Sequence, residues 1–205
     1  MSNKLKIKII GAGPTGSLLA LSLSKIGCDI SLFDTNNCEQ IVNKNRAYAI
    51  NNSSRKILAS MGLWQTIEKE SNKFNNLVVK DNLIDRQALF TIRDLTLSNK
   101  RSYSIGWILD HRRLMTILMD EVFNSDNINL KLNCNSNYEV EGYDYIIAAD
   151  GSNSFAKSLY SIKSHKLNYN QACLTVKLLL RGADDSKAYE ILMEEGPFAI
   201  LPMGG

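Results

Sequence analysis

Histidine and cysteine are the first scarcities. Only His111 and His165 occur in 205 residues, too few for a histidine-built metal centre. Cys28, Cys38, Cys134 and Cys173 stand far apart with no C-x-x-C pair. That spacing excludes a zinc ribbon and a disulfide framework, and points to reduced thiols in a cytoplasmic protein. No apolar run approaches the ~20 residues that span a bilayer, so any membrane contact is expected to be peripheral. Charge of either sign is modest, with 24 Lys+Arg against 21 Asp+Glu for a formal +3. The densest basic group, His111-Arg112-Arg113, is too short for a nucleic-acid surface. No Ser/His/Asp or Cys/His constellation offers a side-chain nucleophile. No repeat or low-complexity tail interrupts the chain. Its length allows one good core, a domain and part of another.

What is present begins at Lys6. Lys4, Lys6 and Lys8 alternate with Leu5, Ile7 and Ile9, the period of a half-buried strand and not of a secretion signal. The strand Lys6–Ile10 runs into Gly11-Ala12-Gly13-Pro14-Thr15-Gly16, a G-x-G-x-x-G. Leu18, Leu19, Leu23 and Ile26 follow at helical spacing, with Gly27 placed to cap the helix. A second strand, Cys28–Phe33, ends at Asp34. Each part suits a dinucleotide. Gly11 permits the tight turn, Gly13 lets the backbone approach a pyrophosphate, and Gly16 lets helix and strand pack closely. The helix N-terminus presents N–H groups and a positive dipole end to that pyrophosphate. The Asp34 carboxylate accepts from ribose hydroxyls and repels a 2′-phosphate. These features leave FAD and NAD both open.

Further motifs narrow the choice. "NRAYAINNSSRKILASMGLW" places Arg46 before a short apolar strand and a helix over Ser53–Met61. It resembles the R-x-x-A-L-x-x-S segment of flavoprotein aromatic monooxygenases, with Ile50 in place of Leu. "YDYIIAADGSNSFAK" is an apolar strand ending in Asp150-Gly151, similar to the D-G-x-x-S motif of that family, with Lys157 at its usual arginine. "GWILDHRRLMTIL" puts Arg112 at another arginine of the family, and "AYEILMEEGPFAILPM" resembles its A-Y-E-R-F-x-x-x-G-P-x-A-L-L-P. The chain thus resembles, along its whole length, the class A FAD-dependent aromatic monooxygenases of the ubiquinone-biosynthesis (2-polyprenyl-6-methoxyphenol hydroxylase) branch.

The resemblance implies an α/β fold, a Rossmann-type parallel sheet for FAD with an inserted, here incomplete, β-rich substrate domain. It implies a discontinuous FAD-binding domain over 1–76 and 101–164, and part of a substrate domain over 77–100 and 165–205. Gly11, Gly13, Pro14, Thr15, Gly16, Asp34, Arg46, Arg112, Asp150 and Gly151 would contact the cofactor, with no catalytic side chain and no metal. FAD, reduced by NAD(P)H or another donor, would take up O₂ as a C4a-hydroperoxide and hydroxylate a prenylated phenol against the apolar run Phe198–Met203. The alternatives are another FAD or NAD oxidoreductase on this fold, such as a prenyl reductase, or a non-catalytic remnant. The family's β-meander before the D-G motif has only "NCNSNYEVEGYD" in its place. Its later G-D motif has no counterpart before Gly205, so the sequence reads as an N-terminal half, truncated or awaiting a separate C-terminal half. The remaining expected elements are strands at Leu77–Lys80, Ala88–Ile92, Ser104–Leu109, Ile128–Leu132, Tyr145–Ala149, Ala172–Leu180 and Phe198–Met203, and a helix at Arg112–Phe123. The stretch from Asp34 to Arg46 reads as loop. His111 and His165 read as structural or exposed, and Trp64 and Trp107 as core.

Overall fold

The structure, a computed structural model, describes residues 4–96, 104–134, 140–165 and 167–204. The chain opens with strand β1 (Lys6–Ile10), helix α1 (Pro14–Lys25), strand β2 (Asp29–Phe33), helix α2 (Cys38–Val42) and strand β3 (Ala47–Ile50). Helices α3 (Asn52–Ser60) and α4 (Trp64–Lys69) precede three strands, β4 (Asn72–Phe74), β5 (Asn76–Asp81) and β6 (Arg86–Thr91), and helix α5 (Ile92–Thr96). Strand β7 (Gly106–Asp110) feeds helix α6 (His111–Phe123), followed by β8 (Ile128–Lys131), β9 (Tyr145–Ala148) and helix α7 (Phe155–Leu159). Strands β10 (Lys187–Met193) and β11 (Gly196–Ile200) close the order.

These elements gather into two compact units, residues 1–45 with 114–175, and residues 46–113 with 176–205. The first holds a four-stranded parallel sheet in the order β8-β2-β1-β9. Parallel neighbours need crossovers, and α1 supplies the one between β1 and β2. Ile7, Ile9, Ile30 and Leu32 are buried there. The expected half-burial of β1 needs correction at Lys8, which is only 4% exposed. Its ammonium lies 5.2 Å from the Phe33 ring centroid and 5.4 Å from that of Tyr143, so the aromatic faces offset part of its desolvation.

Helix α1 also turns a different side inward from the one its leucines suggest. Gly16, Ser17, Ala20, Leu21 and Ser24 are buried, while Ile26 is exposed. Small residues win because the helix start lies almost against the glycine loop. Gly27, at φ +89°, ends the helix and donates its N–H to Ser24 O at 3.0 Å. Helix α2 replaces the expected loop after Asp34. It starts in a reciprocal cap: Gln40 N–H donates to Asn37 Oδ1 and Asn37 N–H to Gln40 Oε1.

The second unit carries two sheets. One is antiparallel in the order β3-β7-β4, and the other runs β11-β10-β5-β6 with only the β10–β5 pair parallel. Phe74, Ile108 and Ala188 form a buried cluster flanked by Ala47, Leu77, Ile105 and Met203. Trp64 and Trp107 are buried and meet edge to face at 4.8 Å. The run Ala172–Leu180 is not a strand, contrary to its β-branched and apolar composition. Strand propensity needs a partner edge, and among the described residues this run has none. The insertion before Asp150-Gly151 lies partly outside the described residues. Among those that are described, no helix is long and apolar enough to cross a membrane.

Candidate functional site

The first unit brings Gly11, Gly13, Pro14, Thr15, Gly16, Asp34, Asp150 and Gly151 to the carboxyl ends of β1, β2 and β9. Open α/β sheets bind ligands at this end of their strands. Gly11, at φ +106°, donates its N–H to Phe33 O at 2.7 Å. A Cβ on Gly11 would lie 2.3 Å from Ala149 O, and one on Gly16 would lie 1.8 Å from Gly11 O. Both glycines are therefore demanded by packing within the protein. Gly13 is different, because a Cβ there meets nothing within 4 Å. Its glycine identity is not needed by the fold, and the space it leaves is where a large group can approach the backbone.

Helix α1 begins at that space. Gly13 is its N-cap, no side chain caps it, and Pro14 takes the first helical position. Ser17 N–H donates to Gly13 O at 2.9 Å, and the buried Ser17 hydroxyl donates to Ala12 O at 2.9 Å, so the loop is rigid. The N-terminal N–H groups and the helix dipole fit a pyrophosphate there. Thr15 is exposed on the same turn. The residues present thus fit the dinucleotide part of FAD.

Asp34 sits beside the loop and is already engaged. Its Oδ2 accepts from Ala12 N–H at 2.8 Å, and its Oδ1 accepts from both Asn36 N–H and Asn36 Nδ2 at 2.9 Å. The carboxylate therefore braces the glycine loop against the end of β2. Asn36 is a residue that sequence reasoning missed. Its signal was the D-x-N spacing, common where an Asp closes a turn on residue i+2.

Asp150 and Gly151 follow β9 next to Gly11, a Cβ on which would come within 3.1 Å of Asp150 N. Asp150 Oδ2 accepts from Phe155 N–H at 2.8 Å and Ala156 N–H at 3.3 Å, so its carboxylate caps α7. Ser154 Oγ accepts from Lys157 N–H at 3.4 Å at the same helix start. Gly151, at φ +87°, has open space around a would-be Cβ. The D-G-x-x-S residues thus build one turn that leaves the Gly151 backbone accessible.

Arg46 and Arg112 lie in the second unit, both exposed. They are held near one another by the backbone: Arg46 O accepts from His111 N–H at 2.9 Å, and Ala47 pairs with Asp110 in the β3–β7 ladder. Arg112 N–H donates to Asp110 Oδ1 at 2.7 Å, and Asp110 also pairs with Lys177. Burial pushes the Asp110 carboxyl up, but the Lys177 ammonium and the N–H groups of Arg112 and Arg113 outweigh it and hold the group below its ordinary range. Next to these lies His111, 1% exposed, with Nδ1 2.7 Å from the Tyr48 hydroxyl. Burial raises the Tyr48 phenol, and the Arg46 charge partly opposes it.

The family model described as FAD binding domain matches residues 4–205. An uncharacterized protein of Synechocystis sp. (slr1300) is 26% identical over 221 residues, covering 99% of this chain and 52% of that protein. Ubiquinone hydroxylase UbiL of Rhodospirillum rubrum is 22% identical over 221 residues, covering 97% of this chain and 49% of its own length. The chain therefore spans about half the length of the curated relatives it matches. Among solved structures, the flavin-dependent monooxygenase PieE, in complex with FAD and substrate, superposes with a TM-score of 0.61 at 19% identity. That match covers 78% of this chain and 32% of the other, and at such identity it is a likeness of fold.

Proposed function

The chain belongs to the FAD-binding domain family, and from that premise we propose that it is the FAD-holding portion of an aromatic-ring monooxygenase. The observation that carries this reading is the contrast among the loop glycines. Gly11 and Gly16 are filled by the protein, whereas Gly13 is left open at the uncapped start of α1. The α1 N-terminus would bind the pyrophosphate, Asp34 would accept from the ribose, and the Asp150-Gly151 turn would flank the pyrophosphate. Arg46 and Arg112 would make further flavin contacts. This assigns residues 1–76 and 101–164 to cofactor binding, and 77–100 with 165–205 to the substrate side. The sheet β11-β10-β5-β6, which a bare dinucleotide domain does not need, supports a substrate-binding addition and disfavours a simple NAD dehydrogenase.

The finer reading is hydroxylation of a prenylated phenol in ubiquinone biosynthesis. It is supported by the resemblance of the A-Y-E…G-P-x-A-x-L-P segment and by the likeness to UbiL. The balanced reaction is ArH + O₂ + NAD(P)H + H⁺ → ArOH + H₂O + NAD(P)⁺. Bound FAD supplies the oxygen-activating redox chemistry. The task of this chain's residues is to hold the cofactor and to keep bulk water from it.

Titration of the protein with FAD, followed by flavin fluorescence, tests the cofactor assignment. Saturable quenching that NAD⁺ does not displace is expected; displacement by NAD⁺ would favour the dehydrogenase. For the whole reaction, a prenylated phenol turned over under ¹⁸O₂ should gain one labelled oxygen. Oxygen drawn from water would overturn the oxygenase reading.

A further inference from the structure

We propose that the adenosine ribose is read by two side chains, Asp34 and Asn36, each taking one of its two hydroxyls. This rests on the reading of the glycine loop as a dinucleotide site. A carboxylate offers roughly four acceptor positions. In Asp34 three are occupied, by Ala12 N–H, Asn36 N–H and Asn36 Nδ2. One position remains, on Oδ2. A ribose presents two neighbouring hydroxyls, so Asp34 takes only one of them without releasing the loop it braces.

The second acceptor is on Asn36. A carboxylate only accepts, so the Asn36 amide must turn its NH₂ toward Asp34, and this fixes its Oδ1 on the other branch of the amide. Among the described residues that Oδ1 accepts no hydrogen bond. Its position is set before any ligand arrives. Asn36 O accepts from Asn133 N–H at 3.2 Å, and Asn37, the next residue, is locked by its reciprocal cap with Gln40. An acceptor ordered on both sides costs little to order further on binding. Asn36 thus has two tasks: it holds Asp34 in place with its NH₂, and it accepts from the sugar with its carbonyl oxygen.

The test uses ADP, 2′-deoxy-ADP and 3′-deoxy-ADP as probes of the whole chain, with affinities measured by calorimetry. For the wild-type protein, loss of either hydroxyl should weaken binding by about three- to tenfold, the loss of one hydrogen bond. In Asn36→Ala the discrimination against at least one deoxy analogue should vanish. Each ratio is taken within one variant, so a general weakening does not obscure it. Asn36→Leu, nearly isosteric and without polar atoms, reads the same ratio if the alanine variant does not fold by far-UV dichroism. Full discrimination against both analogues in a folded variant overturns the role of Asn36 while leaving the dinucleotide site standing. Failure of the wild-type chain to bind ADP or FAD overturns both.

Discussion

A methyl group added at Gly16 would collide with the carbonyl oxygen of Gly11, whereas one added at Gly13 would meet empty space. The two glycines therefore answer mutation in opposite ways. Gly16→Ala should destabilise the protein by about 1–3 kcal/mol, the usual cost of overpacking, and guanidinium unfolding measures it. Gly13→Val should leave the unfolding midpoint almost unchanged while abolishing FAD quenching, since its side chain fills the ligand's approach. A Gly13 variant that unfolds early but still binds FAD would invert the assignment. Asp34→Ala belongs to the same scale. It removes the brace on Ala12 N–H together with a ribose acceptor, so FAD affinity should drop by about 1–3 kcal/mol. Unchanged FAD retention in titrations would dissociate Asp34 from the cofactor.

At the scale of elements, the join of β3 to α6 includes one polar side-chain pair, Tyr48 and His111. Tyr48→Phe would leave His111 Nδ1 buried without the hydroxyl it now meets at 2.7 Å. The expected loss is about 1–3 kcal/mol of stability, read from denaturant curves; no loss would mean the His111 ring finds another partner there. The turn into β10 carries a pH signature. Asp184 is held down to about 2, first by the Ser186 hydroxyl, then by the Lys187 ammonium and the Ser186 N–H. A depressed carboxylate contributes stability above its ordinary value near 3.8, and that contribution is lost as pH falls toward 2. The melting-temperature gap between wild type and Asp184→Asn should thus be present at neutral pH and close by pH 2. A gap independent of pH would remove the charge from the account.

The same scale explains what the sequence made legible. β1, the glycine loop, α1, β2 and Asp34 were readable because strand period, turn glycines and a terminal acid follow in order within one local unit. The burial of Lys8 was not, because it depends on Phe33 and Tyr143 arriving from elsewhere in the chain. Helix α2 reads as loop in the sequence, because five residues carry little periodicity, although Asn37 and Gln40 stand at capping-box spacing. Helix α4 gives no start signal, since Leu63 precedes it and no side chain caps it. β10 lacks clean alternation, and its pairing with β5 joins residues more than a hundred positions apart. The engagement of Asp150 by α7 was hidden for a related reason: a five-residue helix leaves almost no periodicity to read.

For the whole molecule, the conspicuous feature is the run Ala172–Leu180, where sequence and structure disagree. Leu174 is 87% exposed, Leu178 72% and Leu179 95%, in a stretch with no assigned strand. Exposed apolar side chains outside any sheet tend to recruit a partner surface. The purified chain should therefore associate with rising concentration, as light scattering would record. Replacing Leu178 and Leu179 together by lysine adds like charges and removes two exposed apolar groups, so scattering should fall. FAD quenching should persist in the double variant, because neither leucine belongs to the glycine-loop site. Unchanged scattering would place the sticky surface elsewhere, such as the exposed Leu89 and Phe90 of β6 at the edge of its sheet.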